Sequence, residues 1–444
     1  MLHFGTDGIR GDAESQLNSR LVVCLARAFV TTTGAQRVLL ALDGRESGPR
    51  IERDLATGFA QCGARSESLG LLPTPGLALL ARELGVFGAM ISASHNRFSD
   101  NGVKFFEPDG SKLSDEHQRA IEEALQRELQ LGDPAGHRGV EPESVSREPT
   151  SVAAADRYVA FLAGQVPPKA LSGLRVVLDL GNGAASQVAP LAFRTAGAEV
   201  VEYHSTPDGR NINDDCGSTH PAAMQRAVIE HRADLGLAFD GDADRVLAAD
   251  ERGDLVDGDQ IMAIMAIALH ERAGLPNAAI AATVLSNFGL RRALSERGIR
   301  VFETPVGDRH VVAAMREHEL ALGGEQSGHI VFGTRASTGD GTLTGLLLAH
   351  RVADSGEPLS RLAAVMTKLP QVMVNVRAAG PIDVERHEPL QEAIRVAEAD
   401  LAAGGRILVR ASGTEPLVRV MVEAESLDRA DEIARRVAGS LEGA

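Results

Sequence analysis

The stretch Asp234-Leu235-Gly236-Leu237-Ala238-Phe239-Asp240-Gly241-Asp242-Ala243-Asp244-Arg245 joins a short apolar run to an acidic, glycine-containing turn. The run is too short for a helix and too continuously apolar for a half-exposed strand, so it reads as a strand buried on both faces. Arg37–Gly44, Leu174–Asn182 and Ala278–Asn287 have the same form. Each ends in a Gly, Asp or Asn turn that opens an amphipathic, helix-like stretch, the strand–loop–helix pattern of an α/β layer. In such layers ligands gather at the carboxyl ends of the strands. The turns are therefore where chemistry is sought.

Around these units the chain of 444 residues is long enough for roughly three domains at about 150 residues each. The Pro-, Gly- and charge-rich stretch Gly132–Thr150 has no period of 2 or 3.6 and reads as a boundary. Polar breaks at Asp250–Asp259 and near Lys368–Pro370 divide the rest. The expected segments are 1–150, 151–253 and 254–368, each α/β, and 369–444, which is α+β. In the last, strands are expected at Gln371–Val376, Arg406–Arg410 and Leu417–Val422, with helices across Asp383–Ala402 and after Leu427.

Composition excludes several classes. Apolar residues make up 44% and charged residues 24%, ordinary for a globular protein. The formal charge of −16, from 61 acidic and 45 basic residues, opposes general binding to a phosphate backbone. An anionic ligand must then be held by local basic pockets. The longest clean apolar stretch, Ile261–Leu269, is about half of what a bilayer-crossing helix needs. No secretory signal pattern opens the chain, so no membrane span and a cytoplasmic address are expected. Cys24, Cys62 and Cys216 are widely spaced and form no Cys-x-x-Cys pair, which disfavours a disulfide framework and a zinc site. Only Lys104, Lys112, Lys169 and Lys368 are lysines among the 45 basic residues. In this arginine-biased chain a lysine on a candidate loop can serve a purpose that Arg cannot, and losing a proton near neutral pH is one such purpose.

Five loops carry candidate chemistry. Asp240, Asp242 and Asp244 alternate on a tight turn and repel one another unless a hard cation such as Mg²⁺ or Ca²⁺ joins them. An EF-hand does not account for them, because its sixth position requires Gly and holds Arg245. In Ser92-Ala93-Ser94-His95-Asn96, after the apolar run Phe87–Ile91, Ser94 is a candidate nucleophile or phosphate carrier; an ordinary turn is the competing reading. Lys104 follows in Asp100-Asn101-Gly102-Val103-Lys104 as a candidate proton-transfer group or a surface lysine beside a core strand. Gly323-Gly324-Glu325-Gln326-Ser327-Gly328-His329 offers donors and acceptors suited to a polyhydroxylated ligand, and His329 is a second group able to move protons. Arg410-Ala411-Ser412-Gly413-Thr414-Glu415-Pro416, with Arg419, combines an anion nest and guanidinium forks suited to phosphate. Gly5-Thr6-Asp7-Gly8-Ile9-Arg10-Gly11 adds another Arg on a glycine-rich turn. No dinucleotide or Walker motif accompanies them. Two phosphate positions flanking one sugar suit transfer of phosphate between its ends better than hydrolysis.

These motifs, in this order and over essentially the whole chain, resemble those of the α-D-phosphohexomutase superfamily. The loop at 92–96 resembles its phosphoserine loop, 240–245 its Mg²⁺ loop, 324–329 its sugar loop and 410–416 its phosphate loop. Gln326, Asn211-Ile212-Asn213-Asp214-Asp215-Cys216-Gly217-Ser218-Thr219-His220, Thr304–Arg309 and Lys368–Gln371 are similar to its glucosamine-phosphate branch. Two departures stand out: Arg97 where Pro is usual, and His310 where Tyr is common.

The resemblance implies an α/β fold of three similar domains with mixed sheets plus a C-terminal α+β domain, arranged around a central cleft. It implies Ser94 carried as phosphoserine, and one Mg²⁺ held by Asp240, Asp242, Asp244 and the Ser94 phosphoryl group. Lys104 and His329 are the proton-transfer candidates, with Arg10 and Arg245 supporting the phosphoserine end. Glu325 and Ser327 would contact the sugar, and Arg410, Ser412, Gly413, Thr414 and Arg419 the phosphate that is not reacting. The implied reaction interconverts glucosamine 6-phosphate and glucosamine 1-phosphate through glucosamine 1,6-bisphosphate, also the priming donor, and feeds UDP-N-acetylglucosamine synthesis. The partner is a small sugar phosphate, with no nucleic acid or membrane; a homodimer is compatible with it. The rivals are a phosphomannomutase or phosphoglucomutase of the same superfamily, a sugar-phosphate hydrolase and a non-catalytic sensor.

Overall fold

Leu235–Phe239 is a strand whose five residues are all buried, as a sheet covered on both faces requires. The computed structural model describes residues 8–130, 150–377, 383–411 and 417–441. They fall into two units, one of residues 1–285 with 299–365 and one of 286–298 with 366–444.

The first unit holds three sheets. The first contains β1 (Ile9–Asp12), β2 (Arg37–Leu42), β3 (Arg65–Leu71), β4 (Phe87–Ile91) and β5 (Asp100–Phe106), in the order β1-β5-β4-β2-β3. The second contains β6 (Arg175–Asp179), β7 (Glu199–Tyr203), β8 (Leu235–Phe239), β9 (Val246–Asp250) and β10 (Leu255–Val256), in the order β10-β9-β8-β6-β7. The third contains β11 (Ala279–Thr283), β12 (Arg300–Thr304), β13 (Leu322–Gly324) and β14 (Ile330–Phe332), in the order β12-β11-β13-β14.

One plan recurs in all three. A first strand lies between two parallel neighbours, reached through helical crossovers, and the second of these neighbours turns back into an antiparallel fourth strand. The hairpin between third and fourth strands is β4–β5, β8–β9 and β13–β14 in turn. The Ser94, Asp240 and Glu325 loops are thus the same hairpin in three copies of one plan. The sheets are mixed because each hairpin reverses direction where a helical crossover would have kept it.

Sequence chemistry sets the element ends. The helix Ser19–Thr33 starts where the Asn18 side chain accepts a hydrogen bond from Leu21 N and stops at Gly34 in the left-handed conformation. It buries Leu21, Leu25 and Phe29. Phe29 stacks on Phe105 at 4.2 Å between centroids and meets Phe59 and Phe87. Truncating Phe29 to Ala would cost about 3–5 kcal/mol. The apolar run Ile261–Leu269 lies in Gly258–Glu271, a helix opened by a capping box of Asp257 and Gln260. Among the described residues no helix is long and apolar enough to cross a membrane.

The polar run Asp250–Asp259 is a turn closed by Gly253 N donating to Asp250 O at 2.9 Å, then β10 pairing back on β9, then the Asp257 cap. Its Asp and Gly residues serve turn and cap chemistry. The boundary Gly132–Thr150 lies outside the described residues except at Thr150, where a helix to Ala163 begins.

In the second unit β15 (Gln371–Arg377), β16 (Arg406–Ala411) and β17 (Leu417–Glu423) form an antiparallel sheet in the order β15-β17-β16. The helices Glu388–Leu401 and Leu427–Gly439 pack on it through Leu390, Ile433 and Val437. The first of them starts later than the expected Asp383, because His387 caps it through Leu390 N and Pro389 occupies its first turn. The helix Phe288–Ser295, on the crossover from β11 to β12, belongs to this unit. Buried Glu423 accepts hydrogen bonds from Phe288 N, Asn287 Nδ2 and Arg406 Nε and ties the segment in place.

Candidate active site

Ser94 lies on the β4–β5 hairpin with φ +53, in the left-handed region that a non-glycine residue enters only when held there. Two side chains hold it. Arg45 Nη2 donates to Ser94 O and Asn96 O at 2.9 Å each, and its other amino group donates to the carbonyls of Arg97 and Asp100. Asn213 Nδ2 donates to the same Ser94 O at 2.8 Å and to Asn96 O at 3.1 Å. Arg45 is 1% exposed, and its charge is matched by Asp43, which accepts from Arg45 Nε and from Ser92 Oγ at 2.7 Å each. Arg97 is exposed and contributes its carbonyl to this clamp; nothing in the structure explains Arg in place of Pro.

The β8–β9 hairpin meets this loop face to face. Gly241 is required at the contact, since a Cβ there would fall 2.6 Å from Ser94 O. Ser94 Oγ donates to Asp240 Oδ2 at 2.7 Å. Asp240, Asp242 and Asp244 are at most 1% exposed, and one ligand atom from each lies within 4.8 Å of the others. Burial, then the charges of Asp244 and Asp242, hold Asp240 well above the usual carboxylate range. Asp242 Oδ2 accepts from Thr74 Oγ1 at 2.5 Å and from Lys104 Nζ at 2.7 Å, while its buried Oδ1 has no hydrogen-bond partner. An orphaned carboxylate oxygen inside three converging acids is what a hard cation satisfies. The residues therefore fit a metal ion.

Lys104 is 2% exposed and reaches Asp244 Oδ2 as well, at 3.4 Å. Strand β5 brings it to the acids because the antiparallel return places Lys104 opposite Met90. Arg10 lies on β1 opposite Gly102, and Arg245 Nε is 3.8 Å from Asp244 Oδ1. His95 Nδ1 is 3.3 Å from Ser94 Oγ. Burial, then the guanidinium charges of Arg245 and Arg10, push His95 down to about 4, so its ring is neutral near pH 7. The sequence reading gave His95 no catalytic role, yet the fold places its ring beside the Ser94 hydroxyl.

The β13–β14 hairpin forms the third wall. His329 is 2% exposed, with Nε2 3.4 Å from Asp308 Oδ2 and 3.9 Å from Asp244 Oδ2. Its ring lies over Gly339, where a Cβ would come within 2.4 Å. Glu325 Oε1 accepts from Gly307 N at 3.0 Å, and Ser327 Oγ donates to Glu325 Oε2 at 3.3 Å. Asp308 also pairs with Lys112. His310, in place of Tyr, is half-buried on the helix Asp308–Glu317.

In the second unit Arg410 and Arg419 are directly opposite across β16 and β17, and Asn375 is opposite Arg419 across β15. Opposed residues of an antiparallel pair share a face, so two guanidiniums and a carboxamide form one row. Ser412, Gly413 and Thr414 lie outside the described residues.

Arg45, Asp43 and Thr74 carry no motif in the sequence, and Asn213 lies in a quoted motif but with no site role read from it. Only the fold brings them to the loops. An arginine just beyond the buried strand β2, Arg37–Leu42, is the one signal available for the clamp.

Comparison with known proteins agrees with this arrangement. The chain matches the phosphoglucomutase/phosphomannomutase alpha/beta/alpha domains I, II and III over residues 1–131, 156–253 and 257–369, and the C-terminal domain over 373–440. It is 48% identical to the phosphoglucosamine mutase of Salinispora arenicola over 98% of this chain and 97% of that one. Among solved structures, a phosphoglucomutase/phosphomannomutase family protein from Burkholderia thailandensis superposes with a TM-score of 0.81 at 26% identity, covering 99% of this chain and 97% of the other. An N-acetylphosphoglucosamine mutase from Aspergillus fumigatus, solved with GlcNAc-6P and magnesium, shares the fold with a TM-score of 0.63 at 19% identity, covering 99% and 95%. Four domain matches in order and near-half identity along the whole length place this chain in the phosphoglucosamine mutase branch of the phosphoglucomutase/phosphomannomutase family.

Proposed function

We propose that the chain interconverts glucosamine 6-phosphate and glucosamine 1-phosphate in the cytoplasm, with Ser94 as the phosphoryl carrier. The observation that carries this reading is Ser94 Oγ held 2.7 Å from Asp240 inside a buried triad of acids. In the first half-reaction the P–Oγ bond of phosphoserine 94 breaks as a bond forms from phosphorus to the sugar 1-oxygen. The hydroxyl proton leaves to a neighbouring base. The resulting 1,6-bisphosphate turns round, its 6-phosphoryl group returns to Ser94 Oγ, and the freed 6-oxygen takes up a proton. Lys104 and His329 are the proposed proton carriers, both buried and both in reach of Asp244.

Asp240, Asp242, Asp244 and the Ser94 phosphoryl group would hold Mg²⁺, which when bound offsets charge on the transferring group. Arg10 and Arg245 add positive potential at the Ser94 end. Glu325 and Ser327 supply acceptors and a donor for sugar hydroxyls. Arg410 and Arg419, with Ser412, Gly413 and Thr414, are proposed to take the phosphate that is not reacting. Glucosamine 1,6-bisphosphate would prime an unphosphorylated chain.

Turnover measured on glucosamine, mannose and glucose 6-phosphates tests the sugar assignment. Preference for glucosamine by at least about tenfold in kcat/KM supports it. Equal or better turnover on mannose or glucose phosphate would replace it with the sister activity.

A further inference from the structure

A second cluster of donor groups lies in the middle sheet, apart from the Asp240 triad. Asp179 ends β6, His204 follows the end of β7, and Cys216 comes at the close of the loop after it. One ligand atom from each lies within 4.8 Å of the other two. His204 Nδ1 is 3.0 Å from Asp179 Oδ1. Asp179 and Cys216 are fully buried, and Asp179 Oδ2 has no hydrogen-bond partner. His204 is 30% exposed in its side chain, which leaves a way in from solvent. Its φ of +46 is a backbone conformation that favours glycine, yet the position carries an imidazole.

We propose that Asp179, His204 and Cys216 form a binding site for one thiophilic divalent cation of the Zn²⁺ class. Carboxylate oxygen, imidazole nitrogen and thiolate sulfur together select a borderline-soft ion, and three protein ligands leave the fourth tetrahedral position to water. Mg²⁺ prefers oxygen donors and belongs at the triad. The plain alternative is a His204–Asp179 ion pair that happens to lie beside a thiol. That pair accounts for Asp179 Oδ1 but leaves buried Oδ2 unsatisfied, while the Cys216 thiol makes two long contacts, donating to Asn211 O at 4.0 Å and accepting from Asn182 Nδ2 at 3.9 Å. Binding replaces the thiol proton by the metal–sulfur bond and releases that proton to water. Cys24 and Cys62 form no disulfide and join no such cluster among the described residues.

The site bears on the loop between His204 and Cys216. That loop carries Asn213, one of the two side chains that hold Ser94 O. A cation joining Asp179, His204 and Cys216 fastens both ends of the loop to the strands and so steadies Asn213.

The test is a Co²⁺ titration of the full chain with Mg²⁺ in excess, Co²⁺ serving as the visible stand-in for Zn²⁺. One equivalent should produce a thiolate-to-cobalt charge-transfer band that Zn²⁺ abolishes by displacement. Cys216→Ser should remove the band. His204→Gly, which suits the left-handed backbone, should weaken binding by at least about tenfold. No charge-transfer band in the unmodified chain, or a band that survives both substitutions, overturns the proposal. Neither outcome depends on which sugar phosphate the chain turns over.

Discussion

Two clusters stand at the carboxyl ends of adjacent strands of one sheet, β8 and β6, and they balance charge in different ways. The Asp240, Asp242 and Asp244 set is all oxygen and strongly anionic, so its neighbours are cations and donors: Lys104, Arg245, Thr74 and the Ser94 hydroxyl. The Asp179, His204 and Cys216 set carries one carboxylate beside an imidazole, and its third member is a thiol. The hydrogen bond to Asp179 raises the His204 pKa, so this set approaches neutrality within itself. Hard, concentrated charge is thus stabilised mainly by side chains from another sheet, whereas the mixed donor set is completed by residues of its own sheet and the loop after β7.

Substitutions at Ser94, Lys104 and Asn213 probe that contrast, and Asp340 supplies a reference outside both clusters. Ser94→Ala removes the group that joins the first cluster to the β4–β5 hairpin. Turnover should fall by at least about a thousandfold, and intact-mass measurement should find no phosphate on the chain. Lys104 comes next. Lys104→Met leaves Asp242 charged and buried, and denaturant unfolding in Mg²⁺-free buffer should show a loss of about 3–5 kcal/mol. Lys104→Arg retains a positive charge without a usable proton, and kcat should drop about a hundredfold. Near-normal turnover of that variant would remove Lys104 from proton transfer.

Asp340 offers a buried acid that belongs to neither cluster. It caps the helix Gly341–Ser355 through Leu343 N at 2.8 Å and accepts from Tyr158 OH at 2.8 Å. Burial pushes it up to about 7 from a usual value of 3.8. The folded form therefore holds this proton more tightly than the unfolded chain. Its contribution to stability is complete below about pH 4 and is lost as the pH rises to about 7, each pH unit in between removing about 1.4 kcal/mol. Asp340→Asn keeps the accepting oxygen and should flatten that part of the profile, read as melting temperature against pH; an unchanged slope would assign the loss to other groups. The smallest effect is expected at Asn213. Asn213→Ala loses two hydrogen bonds to the Ser94 loop and should lower kcat by about threefold to tenfold with KM little changed.

What was readable in the sequence follows the same contrast. The triad, Ser94 and the Glu325 loop are each contiguous, so residue type and spacing announce them. The strand runs were equally plain, because burial on both faces leaves an unbroken apolar string such as Leu237-Ala238-Phe239. Strand order was not readable, since nothing local to β4 says that β5 returns beside it antiparallel. Arg45 and Asn213 lie 49 and 119 residues from Ser94, and only packing brings them to its carbonyl. Asp179, His204 and Cys216 failed the usual spacing test for a metal site because the end of β6 and the separate loop after β7 supply them. His329 was read as a group able to move protons, but its neighbours Asp308 and Asp244 come from separate elements.

Phosphate is held to move between the ends of one sugar by way of Ser94. Phosphorus NMR of Ser94-phosphorylated protein with glucosamine 6-phosphate and Mg²⁺ follows that movement directly. A mutase working through Ser94 gives growth of a sugar 1-phosphate signal with little inorganic phosphate. Inorganic phosphate alone would mean a hydrolase and would contradict this mechanism, as would a spectrum that does not change.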